Sequence, residues 1–417
     1  MDNRDEPHRT RRGYSMISEV FPTARLGVAS VACLLLVLQA LPLAGIAQAH
    51  DPSPYGGVFR SRDMGDAWLN ADIGLFLNAS LSLAVDPRNP GHLLLGTDVG
   101  LWRSHNGGRS WTREAEDLIL GAVFAIAFAP DGQSAMCAAP NGVFRFEAGR
   151  WTQSRAPDGA TPARAIALGA APGRVYLLGR SQLFVSDDDG KTYGAAPTEL
   201  PEEAEITALA VAEQPREVLL AVIDGRIATS EDGGRHWRRR GEASFAGPVD
   251  MVGLAPYSPR RAWASAADRI YRSDDLGLTW QAFGSLLPEP QTTVRGIAAN
   301  QNATALVVTT HRGMYRSDDS AQTWALKEGA LPIHLESGPL TRDPSDASVL
   351  YAMYSLLPYG EVWRAAVEGG NLLARLDPVS VAGGVAFIML LLGGGGFLAL
   401  RLARLRGEGA RIHHPRS

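Results

Sequence analysis

From residue 57 to residue 352 the chain is a succession of short apolar runs separated by polar turns rich in glycine and proline. Residues 81–85 (LSLAV) are followed by Asp86-Pro87-Arg88-Asn89-Pro90 and then by residues 92–96 (HLLLG). Gly100-Leu101-Trp102-Arg103 and Arg269-Ile270-Tyr271-Arg272 alternate apolar and polar side chains. Runs this short, bounded by turn residues, predict β-strands. The scheme returns with Leu254-Ala255-Pro256 before residues 262–265 (AWAS), and with Thr341-Arg342-Asp343-Pro344 before residues 349–352 (VLYA).

Many of these runs lead into a recurring octet. Residues 61–68 (SRDMGDAW) return as 104–111 (SHNGGRSW), 186–193 (SDDDGKTY), 230–237 (SEDGGRHW), 273–280 (SDDLGLTW) and 317–324 (SDDSAQTW). Measured at the third position (63, 106, 188, 232, 275, 319) the steps are 43, 82, 44, 43 and 44. The double step predicts a further copy near residue 147, where Glu147, Gly149 and Trp151 stand with two residues deleted from the turn. The octet has the chemistry of a hairpin connection. Its Asp or Asn accepts backbone N–H bonds, its glycine supplies positive φ, and its hydroxyls close local bonds. The terminal aromatic is a packing group for the neighbouring sheet; six of the nine tryptophans (68, 111, 151, 237, 280, 324) sit there.

About four short strands per 43-residue unit predict a β-propeller, all-β and a single folded domain over residues 50–370. The last unit, through Val362-Trp363-Arg364, has no octet, and the first begins only at Gly57-Val58-Phe59-Arg60. The simplest closure therefore shares one blade between the two chain ends, giving seven blades of four antiparallel strands. A different overlap of the ends gives six or eight.

Two longer apolar segments flank the repeats. Arg4, Arg9, Arg11, Arg12 and Arg25 precede an apolar run over residues 26–46, which ends at Ala47-Gln48-Ala49. That order describes a secretory signal over residues 1–49; cleaved or kept as an anchor, it exports the repeats. Residues 379–400 hold 22 positions without a charge, enough to span a bilayer as a helix. Arg401, Arg404, Arg406 and Arg411 in the tail 401–417 place that tail in the cytoplasm, with residues 371–378 as a juxtamembrane linker.

Composition removes several classes. Net charge −4 makes no electrostatic case for nucleic acid. Of two cysteines, Cys33 lies in the N-terminal apolar run and Cys137 reads as a small buried residue, so neither a disulfide framework nor a Cys/His zinc site is expected. No His, Asp and Glu spacing reads as a metal site, and no cofactor is implied.

The octets resemble the Asp-box (BNR) repeat, S-x-D-x-G-x-T-W, over about residues 55–366. The Asp-Pro-x-x-Pro element resembles that of sortilin-type propellers, bacterial xyloglucanases and the lumenal photosystem II assembly factor. Ala67 and His236 replace Thr, Asn106 replaces Asp, Ala321 replaces Gly, and the turn before Trp151 is short. The resemblance implies that Asp63, Asn106, Asp188, Asp232, Asp275 and Asp319 are structural and face away from the ligand site. Sialidases, the best-known enzymes with this repeat, would carry an Arg-Ile-Pro element where this chain reads residues 57–62 (GVFRSR). Arg60, Arg103, Arg272 and Arg316 precede octets at one repeat position and read as repeat residues, with no catalytic set among them.

If the octets occupy one face, the opposite face is made by second-to-third strand turns and interblade connections. Asp98, Asn141, Arg180, Asp224, Asp268, His311 and Arg312 are the candidate ligand-binding residues there. Acidic residues 200–205 (LPEEAE) and basic Arg235 with Arg238-Arg239-Arg240 mark solvated edges or docking surfaces. The reading is a membrane-anchored, extracytoplasmic and monomeric propeller that binds a protein or glycan partner. It lacks a recognisable catalytic constellation and suits an assembly or scaffold factor. The alternatives are a glycoside hydrolase of the sialidase or xyloglucanase type and a passive surface adhesion protein.

Overall fold

The computed structural model describes residues 56–72, 75–241 and 244–369. After β1 (Gly57–Ser61) and β2 (Leu69–Asn70), the first complete blade comprises β3 (Ser80–Val85), β4 (Leu93–Thr97), β5 (Gly100–Ser104) and β6 (Thr112–Glu114). Blade 2 is β7 (Ala125–Phe128), β8 (Ala135–Ala139), β9 (Gly142–Glu147) and β10 (Arg150–Gln153). Blade 3 is β11 (Ala165–Leu168), β12 (Val175–Leu178), β13 (Leu183–Ser186) and β14 (Gly194–Ala195). Blade 4 is β15 (Ile206–Ala212), β16 (Val218–Ile223), β17 (Arg226–Ser230) and β18 (Arg238–Arg239). Blade 5 is β19 (Val249–Leu254), β20 (Ala262–Ala266), β21 (Arg269–Ser273) and β22 (Gln281–Phe283). Blade 6 is β23 (Val294–Ala299), β24 (Leu306–Thr310), β25 (Gly313–Ser317) and β26 (Ala325–Leu326). Then come β27 (Glu336–Arg342), β28 (Leu350–Ser355) and the helix α1 (Tyr359–Glu368).

The seventh blade has the order β27-β28-β1-β2, so the two chain ends share it as expected. First strands of successive blades stand side by side, and β27 stands beside β3, which closes a ring of seven. One apolar cluster fills each interface between adjacent blades. Between blades 4 and 5, for example, Leu220, Val222 and Ile227 meet Ala264, Tyr271 and Trp280.

The closing blade is pinned by main-chain geometry. β1 pairs with β28 from Gly57↔Tyr354 to Ser61↔Leu350 and with β2 at Phe59↔Asn70 and Arg60↔Leu69. Gly57 has φ 128°, and a Cβ there would stand 1.8 Å from Oδ2 of Asp72. That carboxylate is buried and accepts the Val58 N–H at 3.0 Å. Its burial pushes Asp72 up to about 6.

The octets join third to fourth strands. In blade 5, Gly277 N–H donates to Ser273 Oγ (2.8 Å), and Ser273 Oγ donates to Asp275 Oδ1 (2.7 Å). Thr279 donates its N–H to Oδ1 (2.9 Å) and its hydroxyl to Oδ2 (2.6 Å) of Asp275. Trp280 Nε1 returns a bond to Gly277 O at 3.0 Å.

The departures from this pattern are absorbed locally. Ala67 still donates its N–H to Asp63, and His236 Nδ1 takes the hydroxyl's place at Asp232 (2.5 Å). Asn106 Nδ2 donates to Ser110 Oγ (2.8 Å). Ala321 adopts φ 63° in the glycine position. The shortened copy is a two-residue turn, Ala148-Gly149, with both residues at positive φ and Glu147 paired to Arg150. Repeat arginines cross to the next blade's octet, as Arg60 does to Gly107 O (3.0 Å), Arg145 to Asp189 O (2.7 Å) and Arg316 to the Asp66 carboxylate.

One element differs from expectation. Residues around Val362-Trp363-Arg364, read as the end of the last blade unit, form the helix α1. Tyr359, Val362, Trp363 and Ala366 lie at helical spacing on one face, and Gly369 ends the helix in the left-handed region (φ 66°). Among the described residues no helix is long and apolar enough to cross a membrane. The signal segment 1–49 and the span 379–400 lie outside the described residues.

The closure and the octets each give a testable outcome. Gly57→Ala forces a Cβ into the Asp72 clamp at positive φ and is expected to cost about 2–4 kcal/mol, read as a lowered unfolding midpoint. The octet acids have depressed pKa values because the hydroxyl and N–H bonds favour their charged form; Asp188 and Asp319 fall to about 2. Their contribution is complete above the unfolded value near 3.8 and is lost as pH falls through about 2. Thermal unfolding between pH 5 and pH 2, roughly this window, is expected to fall less steeply for Asp188→Asn with Asp319→Asn than for the parent.

Candidate binding face

The second-to-third turns and the interblade connections lie at the end of the ring opposite the octets, since β3 begins beside the end of β4 and likewise in each later blade. All seven candidate ligand residues are on that face. The structure sets most of them to work as staples on main-chain groups of the connections. Asn141 accepts the Leu120 N–H (3.2 Å) and donates to Leu118 O (2.9 Å). Arg180 donates to Thr161 O (2.9 Å), and Asp224 accepts the Glu205 N–H (3.0 Å). Asp268 accepts the Gln291 and Thr292 N–H groups (2.8 and 2.5 Å). His311 Nδ1 accepts the Thr293 N–H (3.0 Å), and Arg312 pairs with Glu289 (2.9 Å). Asp98 is held by its own N–H to Ala79 O (3.3 Å), and burial raises its carboxyl. They share a face, and the bonds they make tie that face together one blade at a time.

A second set of residues, which the sequence pattern did not single out, rings the axial mouth on the same face. The first strand of blade 1 shifts register between Ser80 and Ser82, of blade 4 between Ile206 and Ala208, of blade 5 between Val249 and Met251, and of blade 6 between Val294 and Gly296. Each shift leaves one unpaired residue: Leu81, Thr207, Asp250 and Arg295. A bulge residue is released from the ladder and its side chain is re-aimed. Phe124 and Arg164, just before β7 and β11, take the corresponding places in blades 2 and 3. Their spacing of 40 to 45 residues is the one signal that would have found them, because only Arg164 and Arg295 share a residue type.

Helix α1 lies across part of this mouth. Trp363 and Tyr359 meet the Phe124 ring edge-on at 5.0 and 5.1 Å. The Arg164 guanidinium stands 4.2 Å over Trp363, and that of Arg295 stands 5.0 Å over Tyr359. Glu336 accepts the Tyr359 N–H (2.7 Å) and pairs with Arg295 (3.3 Å). Leu81, Phe124, Val362 and Trp363 share one apolar cluster. The helix thus engages blades 1, 2, 3, 6 and 7.

Thr207 and Asp250 lie on the remaining arc. Asp250 stays open to solvent, yet the surrounding mouth thins its hydration and Asp268 repels its charge. Together these push it up to about 6 against the opposing pull of Arg295. Beside this arc, a cavity of about 600 Å³ is lined by Asp224, Arg226, Arg240, Phe245 and Pro248.

The octet side holds a dense titratable cluster of another kind. His92 Nδ1 bonds Asp86 (3.0 Å) and its Nε2 meets Arg103, which pairs with Glu114 (2.8 Å); Glu114 also accepts Trp151 Nε1 (2.6 Å). With both ring nitrogens engaged, His92 has no position left for a substrate proton. Cys137 is fully buried on β8, where burial pushes its thiol up, which leaves no reactive thiolate.

Trp363→Ala removes the ring held between Phe124 and Arg164. The expected effect is local: trypsin cleavage after Arg364 accelerates by roughly tenfold or more, while the β-sheet circular dichroism and the main unfolding transition persist. Loss of both together would place the helix inside the global folding unit.

No family model and no curated protein matches the sequence. Solved structures do. The chain is similar to a structure described as YCF48 bound to D1 peptide, with 19% identity and a TM-score of 0.52 over 68% of this chain and 94% of that one. It is also similar to the β-propeller domain of Myceliophteria thermophila Cps50 (Swd1), at 12% identity and TM-score 0.48 over 67% and 98% of the two chains. An ancestral GH74 enzyme matches at 13% identity and TM-score 0.45, over 66% of this chain and 52% of its own. At 19% identity the first of these likenesses concerns the fold alone, and the seven four-stranded sheets of the ring make this chain a seven-bladed β-propeller.

Proposed function

We propose that this is an Asp-box-type propeller, exported by its N-terminal segment and held by a C-terminal span, that binds a protein partner as an assembly or scaffold factor. The partner is read on the face opposite the octets, along the arc that α1 leaves open. The observation that carries this reading is the division of labour between the two faces. Octet acids and repeat arginines are consumed in turns and interblade bonds, whereas Thr207, Asp250 and the Asp224–Arg240 cavity leave polar groups facing solvent. Further support comes from the similar propeller whose structure is described as bound to a peptide.

A second reading, glycoside hydrolysis, is favoured by one pair. Asp250 is raised to about 6 by desolvation and by the neighbouring charge of Asp268, which is held in place by N–H bonds to both its oxygens, so a proton-holding carboxyl stands beside a second carboxylate of fixed orientation.

A photocrosslinker at Thr207 of the full chain in its native membrane is expected to capture one partner. The same label at Arg109 in an octet should not, and Asp250→Lys should remove the product. Equal yields from both faces, or none, overturn the binding reading. Turnover of fluorogenic glycosides abolished by Asp250→Asn replaces it with the hydrolase.

A further inference from the structure

Large apolar side chains left in water are distributed unevenly around the ring. Among the described residues Phe76, Val99, Leu120, Leu286, Ile333 and Leu356 are exposed, from 41% at Leu356 to 85% at Phe76. All six lie on the face opposite the octets. Phe76, Leu120, Leu286 and Ile333 are in interblade connections, Val99 is in the turn between β4 and β5, and Leu356 directly follows β28. They are also confined to one arc, running from the connection between blades 5 and 6, through blade 7, to the connection between blades 1 and 2. Leu69 and Leu326, exposed on the outer strands β2 and β26, belong to blades 7 and 6 of the same arc. The rest of the face, over blades 3 to 5, presents Arg180, Glu202, Glu203, Asp224, Arg226 and Arg239 to solvent. Scattered apolar residues are ordinary on a protein surface, but six gathered on one arc of one face are not.

We propose that this arc is a bilayer-contacting surface, with the apolar loop residues seated in the interfacial layer and the octet face directed away from it. The inference rests on the reading of residues 379–400 as a membrane span. Helix α1 ends at Gly369 on the same face, and only ten residue steps separate it from Val379. Fully extended, they reach at most about 33–36 Å. A span starting at Val379 is therefore tethered within that reach of this face, on which the helix ends. Single apolar side chains at the tips of separate loops suit shallow interfacial insertion, in which binding scales with the apolar area transferred. The arrangement leaves the charged arc over blades 3 to 5 at the membrane surface but out of the lipid, where the extramembrane part of a membrane-resident partner would be met.

The test uses the full chain in vesicles of phosphatidylethanolamine and phosphatidylglycerol. Single cysteines are introduced in a Cys33→Ser background, with Cys137 buried and unreactive. An environment-sensitive fluorophore is placed at Leu120, at Ile333 or, on the octet side, at Arg109 or Gln322. Quenching by a lipid-attached nitroxide is expected to be at least about threefold greater at 120 and 333 than at 109 and 322, in line with interfacial depth. It should fall to the octet-side level when Leu120 is labelled in the L286S/I333S background. Equal or absent quenching at the two faces, with the thermal unfolding of each labelled chain unchanged, overturns the proposal and assigns these residues to a protein contact. Alkaline carbonate extraction of the same vesicles reports the span separately. Resistance without selective quenching keeps the span and rejects the docking arc; selective quenching of an extractable chain keeps the arc and rejects the span.

Discussion

The structure depends on one seam. Six blades are formed by consecutive strands, and their stacking yields an open arc with two exposed ends until β1 inserts between β28 and β2. That insertion joins residues about 300 positions apart through five paired positions, Gly57↔Tyr354 to Ser61↔Leu350. An unclosed arc would expose two apolar blade faces, and a ring removes both. The hairpin that closes the ring is held from both sides. Arg316 and Lys327 of blade 6 reach Asp66 in its octet, and its own Arg60 reaches the octet of blade 1. The Asp72 clamp then fixes where β1 starts. Because that carboxylate is buried at the seam, its raised pKa is a sign that closure tolerates an electrostatic cost for a defined register.

Closure also separates the two faces by chemistry. On the octet side each turn spends its Ser and Asp groups within itself, and repeat arginines bond the neighbouring blade. On the other side the chain must travel from the outermost strand of one blade to the innermost strand of the next. Longer connections are unavoidable there, and their main-chain groups need partners. Asn141, Arg180, Asp224, Asp268 and His311 supply them. What remains is the mouth position, a bulge residue in four blades and the residue just before the first strand in two more. That position carries Leu81, Phe124, Arg164, Thr207, Asp250 and Arg295 in six blades.

The same division decides how much of the molecule was legible in the chain. The octets were readable because a turn with positive φ, a hydroxyl cap and a carboxylate acceptor restricts residue type, and because the third-position spacing survives where an individual residue does not, as at Asn106, His236 and Ala321. The shared blade was readable from counting units at the two ends. The ring of mouth residues was not, since apart from Arg164 and Arg295 its members share only their spacing. The repeat spacing puts the seven candidates opposite the octets, where the structure has them, but their bonds to main-chain groups in other segments have no signature in a single sequence. Helix α1 was missed because Val362-Trp363-Arg364 imitates the strand that precedes an octet; the helical spacing of Tyr359, Val362, Trp363 and Ala366, followed by Gly369, was the competing signal.

The plug helix is where the symmetry of the repeat is broken to an end. Seven similar blades would present seven similar mouth positions, and a ring of that kind offers no preferred direction across its face. By stacking Trp363 and Tyr359 on Phe124, Arg164 and Arg295, α1 occupies one side of the mouth and leaves Thr207 and Asp250 on the other. The same asymmetry runs outward, to exposed apolar loops on the arc around blades 6, 7, 1 and 2 and to charged loops over blades 3 to 5. Helix and apolar arc also share the face from which the chain leaves the ring at Gly369. A single asymmetric element, set by one aromatic pair, thus gives a nearly symmetric scaffold both a covered side and an open side, with Thr207 and Asp250 at the mouth of the open one.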